Sequence, residues 1–148
     1  MGIGEAIKAD HDEFRRVLLR LENTTEKEVE LRKQLLPHFT RILYAHHVAE
    51  EEVLFPEMEK KKELKDMALD LTEEHRAMII LLDDLELSGW AFKFWRHRLR
   101  PFREIIVVHW NKEETLLIPH MPTYFSRPEI DEMSTAFDAV RSREFNAK

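Results

Sequence analysis

The sequence predicts an all-α protein, an antiparallel up-down-up-down four-helix bundle with a short fifth helix at the C-terminus. Three observations carry this expectation. Apolar residues recur at steps of three and four over long stretches, and no Val/Ile/Thr-rich alternating run of strand length interrupts them. The 148 residues include only three glycines, and 35% are charged, a composition rich in helix-forming Leu, Glu, Lys, Arg and Ala. Helix-breaking or helix-starting signals fall between the periodic stretches, at Asn23-Thr24-Thr25, Lys60-Lys61-Lys62, Ser88-Gly89 and Ser126.

The first helix is expected from about Ile3 to Glu22, with Ile7, His11, Phe14, Leu18 and Leu21 as its inward seam. Thr25 and Glu28 read as a capping box, so the second helix is expected to begin near residue 26. Its seam is Leu31, Leu35, Phe39, Ile42, His46, Glu50 and Val53. Pro37 and Pro56 lie inside the pattern and predict kinks, because the periodicity resumes after each. The lysine run closes this helix with charge favourable to its C-terminus. A third helix is expected over Leu64 to Leu87, with Leu71, His75, Met78, Leu82 and Leu85 inward and Ser88-Gly89 as its stop. The fourth runs from about Trp90 to Pro119 through Trp95, Leu99, Phe102, Ile106, His109, Glu113 and Leu116, with a kink at Pro101. Ser126 and Glu129 form a second capping box ahead of a fifth helix ending near Arg143, whose Ile130, Met133, Phe137 and Val140 can pack on the bundle. The chain reads as one domain over 1–148, with the bundle over about 3–121 and the last helix over about 127–143.

Composition narrows the function. There is no cysteine, which excludes disulfides, thiolate ligands and iron–sulfur ligation by this chain. A net charge of -6 and the lack of a basic face with interleaved aromatics argue against a nucleic-acid partner. No apolar run approaches the about 20 residues that span a membrane. The N-terminus lacks a signal-peptide core, and Ala6 breaks the myristoylation pattern, so a cytoplasmic setting is expected.

The chemistry sits in a duplicated motif. Residues 45–58 read AHHVAEEEVLFPEM and residues 108–121 read VHWNKEETLLIPHM. In each copy a carboxylate follows a histidine by four residues and a proline follows it by ten: His46, Glu50, Pro56 and His109, Glu113, Pro119. Four residues make about one helical turn, so each His/Glu pair projects from one face. The spacing from His11 to His75 nearly equals that from His46 to His109, as if one helical hairpin were repeated. Four seams thus carry a histidine at one level, and two carry a glutamate. A single histidine on an apolar face is ordinarily a hydrogen-bonded structural residue. Two buried glutamates without a seam Lys or Arg at their height need a counter-charge, and a pair of cations supplies it. Imidazole with carboxylate suits iron, manganese or zinc.

The Glu-x-x-His spacing of ferritin-type di-iron bundles is absent, since none of the eight histidines has a glutamate three residues before it. The reversed order, in DHDEF around His11, HHVAEEEVLFP around His46 and Glu50, EEHRAM around His75 and HWNKEETLLIP around His109 and Glu113, resembles the hemerythrin-like (HHE cation-binding) family over about residues 5 to 121. The resemblance implies a centre of two non-haem iron ions in a four-helix bundle. By it, His11 and His46 hold one iron, His75 and His109 the other, and Glu50 and Glu113 bridge them together with an oxo or hydroxo group. Two departures separate the chain from oxygen-carrying hemerythrins. Their second helix-C histidine, four residues after the first, is Ile79 here, and their helix-D aspartate, five residues after its histidine, is replaced by Glu113 at four. Both fit the bacterial and regulatory branch. The branch that repairs iron–sulfur clusters adds a cysteine-bearing N-terminal domain, for which this sequence shows no counterpart.

Further residues are weighed individually. His47 is a candidate fifth nitrogen donor, but it points about 100° away from His46 unless a π-bulge swings it inward. Glu51 and Glu114 are expected to accept from ligand N–H groups or to face solvent. His38, His97 and His120 are expected to be structural, and Phe14, Met78, Trp95 and Trp110 to be core. With four imidazoles and two bridging carboxylates, each iron keeps one open position; a fifth imidazole closes one of the two. Three classes of function share these ligands: binding or sensing of O2 or NO, an enzyme reducing peroxide or NO or oxidising Fe(II), and an iron store or iron-responsive module. A bundle that binds only proteins, without metal, is the remaining alternative.

Overall fold

A computed structural model of the chain describes residues 2–87 and 92–147, with the backbone alone over 92–94. Helix α1 spans Ile3–Glu22 and buries its entire expected seam. Helix α2 spans Val29–Ala49, starting about three residues later than the capping box suggests. Thr25 and Glu28 close a separate turn instead: Thr25 N donates to Glu28 Oε1 at 2.8 Å and Glu28 N to Thr25 O at 3.0 Å. The reason is tertiary. Arg32 is wholly buried and donates to Thr24 Oγ1 at 3.0 Å and Thr25 O at 2.8 Å, which ties this segment down before the helix can start.

After Ala49 the chain makes a π-helical turn over Glu50–Leu54 and resumes as the short helix α3, Phe55–Glu59. Helix α4 covers Lys65–Leu87, as expected, and α5 covers Phe92–Lys112. The Ser88-Gly89 stop and the Trp90 start lie outside the described residues. A second π turn follows over Glu113–Leu117, then a 3-10 turn over Ile118–His120, the one-turn helix α6, Met121–Tyr124, and α7, Arg127–Asn146. The Ser126/Glu129 capping box is complete, and α7 runs three residues beyond Arg143.

The two π turns occupy the same place in the duplicated motif, each beginning at its glutamate. In each copy a proline comes two residues after the turn or within two residues of its end, Pro56 and Pro119. Proline has no N–H to give, and its ring crowds the carbonyl four residues back, so the ordinary helical register is disfavoured there. The wider turn accommodates one extra residue. It also shifts the phase of everything downstream. Leu116, expected inward, is 54% exposed, and Leu117 takes its place at 1%. Pro37 and Pro101, by contrast, lie inside continuous helices.

Helices α1, α2, α4 and α5 pack as a four-membered antiparallel ring, and α7 lies along α1 and α2 on the outside. The core is cut in two. One apolar cluster, including Phe14, Phe39, Met78, Trp95, Phe102 and Trp110, fills one end of the bundle. Another, including Ile7, Leu54, Phe55, Leu71, Leu117 and Phe137, fills the other. A polar layer separates them: His11, His46, His47, Glu50, His75, His109 and Glu113, each at most 2% exposed. Among the described residues, no helix is long and apolar enough to cross a membrane.

Candidate metal centre

All six residues singled out by the sequence meet in this layer, and a seventh joins them. His11, His46, Glu50 and Glu113 offer ligand atoms within 4.8 Å of one another; so do His47, Glu50, His75 and His109. Glu50 belongs to both groups. Its Oε1 lies 3.2 Å from His75 Nε2 and its Oε2 lies 3.4 Å from His46 Nε2, so one carboxylate oxygen faces each group. Glu113 Oε1 lies 3.1 Å from His11 Nε2 and 3.5 Å from His109 Nε2, again between the two.

Helix geometry explains how α2 serves both groups. At about 100° per residue, Glu50 projects about 40° from His46 and about 60° from His47, so it sits between them. The two adjacent histidines therefore flank the carboxylate from opposite sides, although they do not share a face. His47 was weighed against its angle to His46; its angle to Glu50 is the one that matters, and the HHVAE spacing already contains it. The π turn begins only after His47, at Glu50, and does not swing the ring in. In the second copy of the motif the equivalent of His47 is Trp110, whose ring packs 5.7 Å from His11 and 5.9 Å from Phe14. The duplicated site is thus asymmetric, with three imidazoles on one side and two on the other.

The ring nitrogens are oriented from outside. His11 Nδ1 meets Glu114 at 2.7 Å, His46 Nδ1 meets Asp10 at 2.8 Å, His75 Nδ1 meets Glu51 at 2.9 Å, and His109 Nδ1 meets Glu74 at 2.7 Å. An ionised carboxylate only accepts, so each Nδ1 carries the hydrogen and, in the neutral ring, each Nε2 turns a lone pair inward. Glu51 and Glu114 act as the sequence suggested. Asp10 and Glu74 were missed, though each stands next to a seam histidine. The four contacts run round the bundle in one direction: α1 holds a histidine of α2, the π turn after α2 one of α4, α4 one of α5, and the π turn after α5 one of α1. Three of these carboxylates have a cation. Glu114 pairs with Arg15 at 2.7 Å, Asp10 with Arg141 at 2.7 Å, and Glu74 with Lys112. Burial acts upward on all three, but their imidazole and cation partners outweigh it and hold them below the usual carboxylate range. Among the described residues Glu51 pairs with no Lys or Arg, and burial raises it.

The donor set fits a pair of cations. The Nε2 atoms of His11 and His46, both nitrogens of His47 and all four oxygens of Glu50 and Glu113 are buried without a hydrogen-bond partner. So many unpaired polar atoms in one place are heavily destabilising unless an ion takes them up. His75 and His109 present Nε2 to each other at 3.1 Å, close to the about 3 Å that separates neighbouring donors on one octahedral ion at about 2.1 Å. His47 stacks on His75 with ring centroids 3.6 Å apart. Burial, reinforced by the surrounding imidazoles, holds His47 and His75 well below the ordinary histidine value, so both are neutral and able to donate a lone pair.

The glutamates respond oppositely. Burial raises Glu50 from 4.5 to about 8 and, with the charge of Glu50 added, Glu113 from 4.5 to about 7. Between those values the metal-free fold keeps protons that the unfolded chain has released. These two groups make its stability fall as pH rises toward about 8, whereas His47 and His75, kept neutral by the fold, make it rise as pH climbs to about 6.5, so the net fall is expected between about 6.5 and about 8. Metal uptake at pH 6 should also expel protons from these two groups, and uptake above pH 8 should not. Calorimetry of metal binding in buffers of differing ionisation enthalpy measures both; uptake at pH 6 with no proton release would contradict this reading.

The other histidines stand apart, with His38, His97 and His120 on the surface. Ile79 is half-buried and lines a surface cavity of about 420 Å³ with Tyr44, Glu51 and Ile80, against the edges of His47 and His75. No curated protein and no solved structure matches the chain. The family model of the hemerythrin HHE cation binding domain matches residues 3–121, which hold every residue of the polar layer. With that match and a clustered His/Glu set able to bind metal, the chain belongs to the hemerythrin HHE cation-binding family.

Proposed function

We propose that the protein holds two non-haem irons and binds O2 or NO reversibly, as a carrier or sensor. His47, His75 and His109 would hold one iron, His11 and His46 the other, with Glu50 and Glu113 shared. The observation that carries the choice of function is the position of His47. Three imidazoles and two shared carboxylates, with a bridging oxygen, would fill six donor places at one iron, whereas the other, with two imidazoles, would keep one place for an added ligand. Ferrous iron supplies the electrons that bind a diatomic ligand there. The chain supplies an apolar surround: Phe14 lies 5.1 Å and Phe137 5.8 Å from His46, and Trp110 lies 5.7 Å from His11. These rings are buried and carry no acidic group, which favours a ligand that leaves unchanged over one that is reduced. Turnover of peroxide or NO, or oxidation of Fe(II), is better served by two open positions.

The purified protein should contain about two irons per chain, given its two donor groups. Optical spectra of the reduced protein, recorded without oxygen, then in air, then after oxygen removal, test the function. A band that appears in air and disappears on removal supports binding. Rapid, irreversible passage to a diferric spectrum would count for turnover, and a folded protein that takes up no iron would end the proposal.

A further inference from the structure

Helix α7 lies beyond the matched residues 3–121, yet it reaches the polar layer. Arg141 Nη1 donates to Asp10 Oδ1 at 2.7 Å, and the other oxygen of the same carboxylate, Oδ2, accepts from His46 Nδ1 at 2.8 Å. Asp10 is thus gripped on both sides, and its orientation toward His46 depends on a residue from α7. One turn earlier on α7, Phe137 is fully buried and stands edge-on to the His46 ring at 5.8 Å. Ser134 Oγ accepts from Ile3 N at 2.8 Å, which fastens the same helix to the start of α1. Glu114 and Glu74, by contrast, take their cations from Arg15 and Lys112, inside the matched residues. His46 alone among the five histidines is oriented through a helix outside them.

We propose that Arg141 is a positioning residue for one half of the metal centre: through Asp10 it fixes the His46 ring, so that docking of α7 and metal retention by the His11/His46 group reinforce each other. The inference rests on the reading of the layer as a two-cation site. Linkage makes the effect reciprocal. Whatever α7 docking adds to metal affinity, bound metal adds to α7 docking. The effect is also one-sided, because His75 and His109 take their outer carboxylates from the π turn after α2 and from α4.

The test is anaerobic release of Fe(II) from the full-length, loaded protein to a chromogenic chelator, with helical content followed in parallel. Arg143 provides the control. It sits on the same helix and pairs with Glu52 at 2.9 Å, so Arg143→Ala loosens α7 without touching Asp10. Arg141→Ala should release half of the iron about three- to tenfold faster than wild type and leave the other half unchanged. That is less than the ten- to hundredfold that loss of a direct hydrogen-bond partner of a ligand costs. Arg141→Lys should restore most of the wild-type rate. Asp10→Asn/Arg141→Ala should release iron no faster than Asp10→Asn alone. Equal acceleration by Arg143→Ala and Arg141→Ala, or acceleration of both halves together, would overturn the positioning role while leaving the two-cation reading intact. A wild type that takes up no iron overturns that reading and the proposal with it.

Discussion

Glu50→Gln should empty both cation positions at once, because Glu50 belongs to both donor groups. Its two oxygens lie 3.2 Å from His75 Nε2 and 3.4 Å from His46 Nε2, one toward each group, so the substitution removes a charged donor from both. The amide keeps the volume and loses the charge. Iron retained after a chelator challenge should fall by more than the ten- to hundredfold expected of an outer partner such as Glu74 or Glu114. His109→Ala and Glu113→Ala should also lower iron occupancy far more than His38→Ala or His97→Ala, whose rings are at the surface. Stability should move the opposite way in the two states. Metal that binds only the folded chain stabilises it by about 2.7 kcal/mol at a hundred times its dissociation constant, and Glu50→Gln loses that stabilisation. Without metal the same substitution removes a wholly buried carboxylate that burial pushes to about 8. The metal-free variant should therefore melt higher than metal-free wild type at pH 8, and the gain should fade toward and below pH 4.5, where the wild-type carboxyl is protonated in the fold and increasingly protonated in the unfolded chain as well. Thermal melts of both proteins at the two pH values, with and without iron, decide it. A metal-free variant that melts lower at pH 8 would show that Glu50 is satisfied by the protein itself.

His47→Ala should convert one open position into two. In the diferric wild type one azide per chain is expected, at the iron held by His11 and His46. Removing the His47 ring, which stacks 3.6 Å from His75, uncovers a position on the other iron. Azide titration of His47→Ala should then give two equivalents, with a shifted optical spectrum and loss of any reversible oxygen band. Ile79→His alone should change neither azide stoichiometry nor spectrum, because in the proposed centre His47 would already supply the nitrogen it adds. In His47→Ala/Ile79→His the introduced ring, on the same wall of the cavity beside His75, should bring the stoichiometry back toward one. One azide in both wild type and His47→Ala would mean that His47 donates to neither iron, and the case for reversible binding would lose its main support.

The polar layer itself was legible because its rule is local. A histidine and a glutamate four residues apart must share a helix face, and two such pairs among four histidine-bearing seams at one level leave two carboxylates without a counter-charge. His11, His46, Glu50, His75, His109 and Glu113 all follow from that, and all are buried together. The place of His47 in the layer was legible in principle, because it depends on the angle to the shared carboxylate rather than to the neighbouring histidine. The outer carboxylates were half legible. Glu51 and Glu114 adjoin the glutamates of the motif, whereas Asp10 and Glu74 point across to other helices, and no spacing within one helix shows which neighbour they reach.

By itself the sequence determined the all-α bundle, most of the helix seams, the second capping box and the six His and Glu residues that meet in the polar layer, since periodicity, capping and hydrogen-bonding capacity are properties of short segments. The tertiary structure decided what depends on distance through space. It delayed α2 by burying Arg32 against the preceding turn. It placed a π turn at each glutamate and so moved Leu117 inward in place of Leu116. It made the two halves of a duplicated motif unequal, with a fifth imidazole on one side and Trp110 on the other. It also brought Arg141 back across 131 residues of chain to Asp10. These are choices among packings that the local pattern permits equally, and they are settled by which side chains can be buried with their charges and hydrogen bonds satisfied.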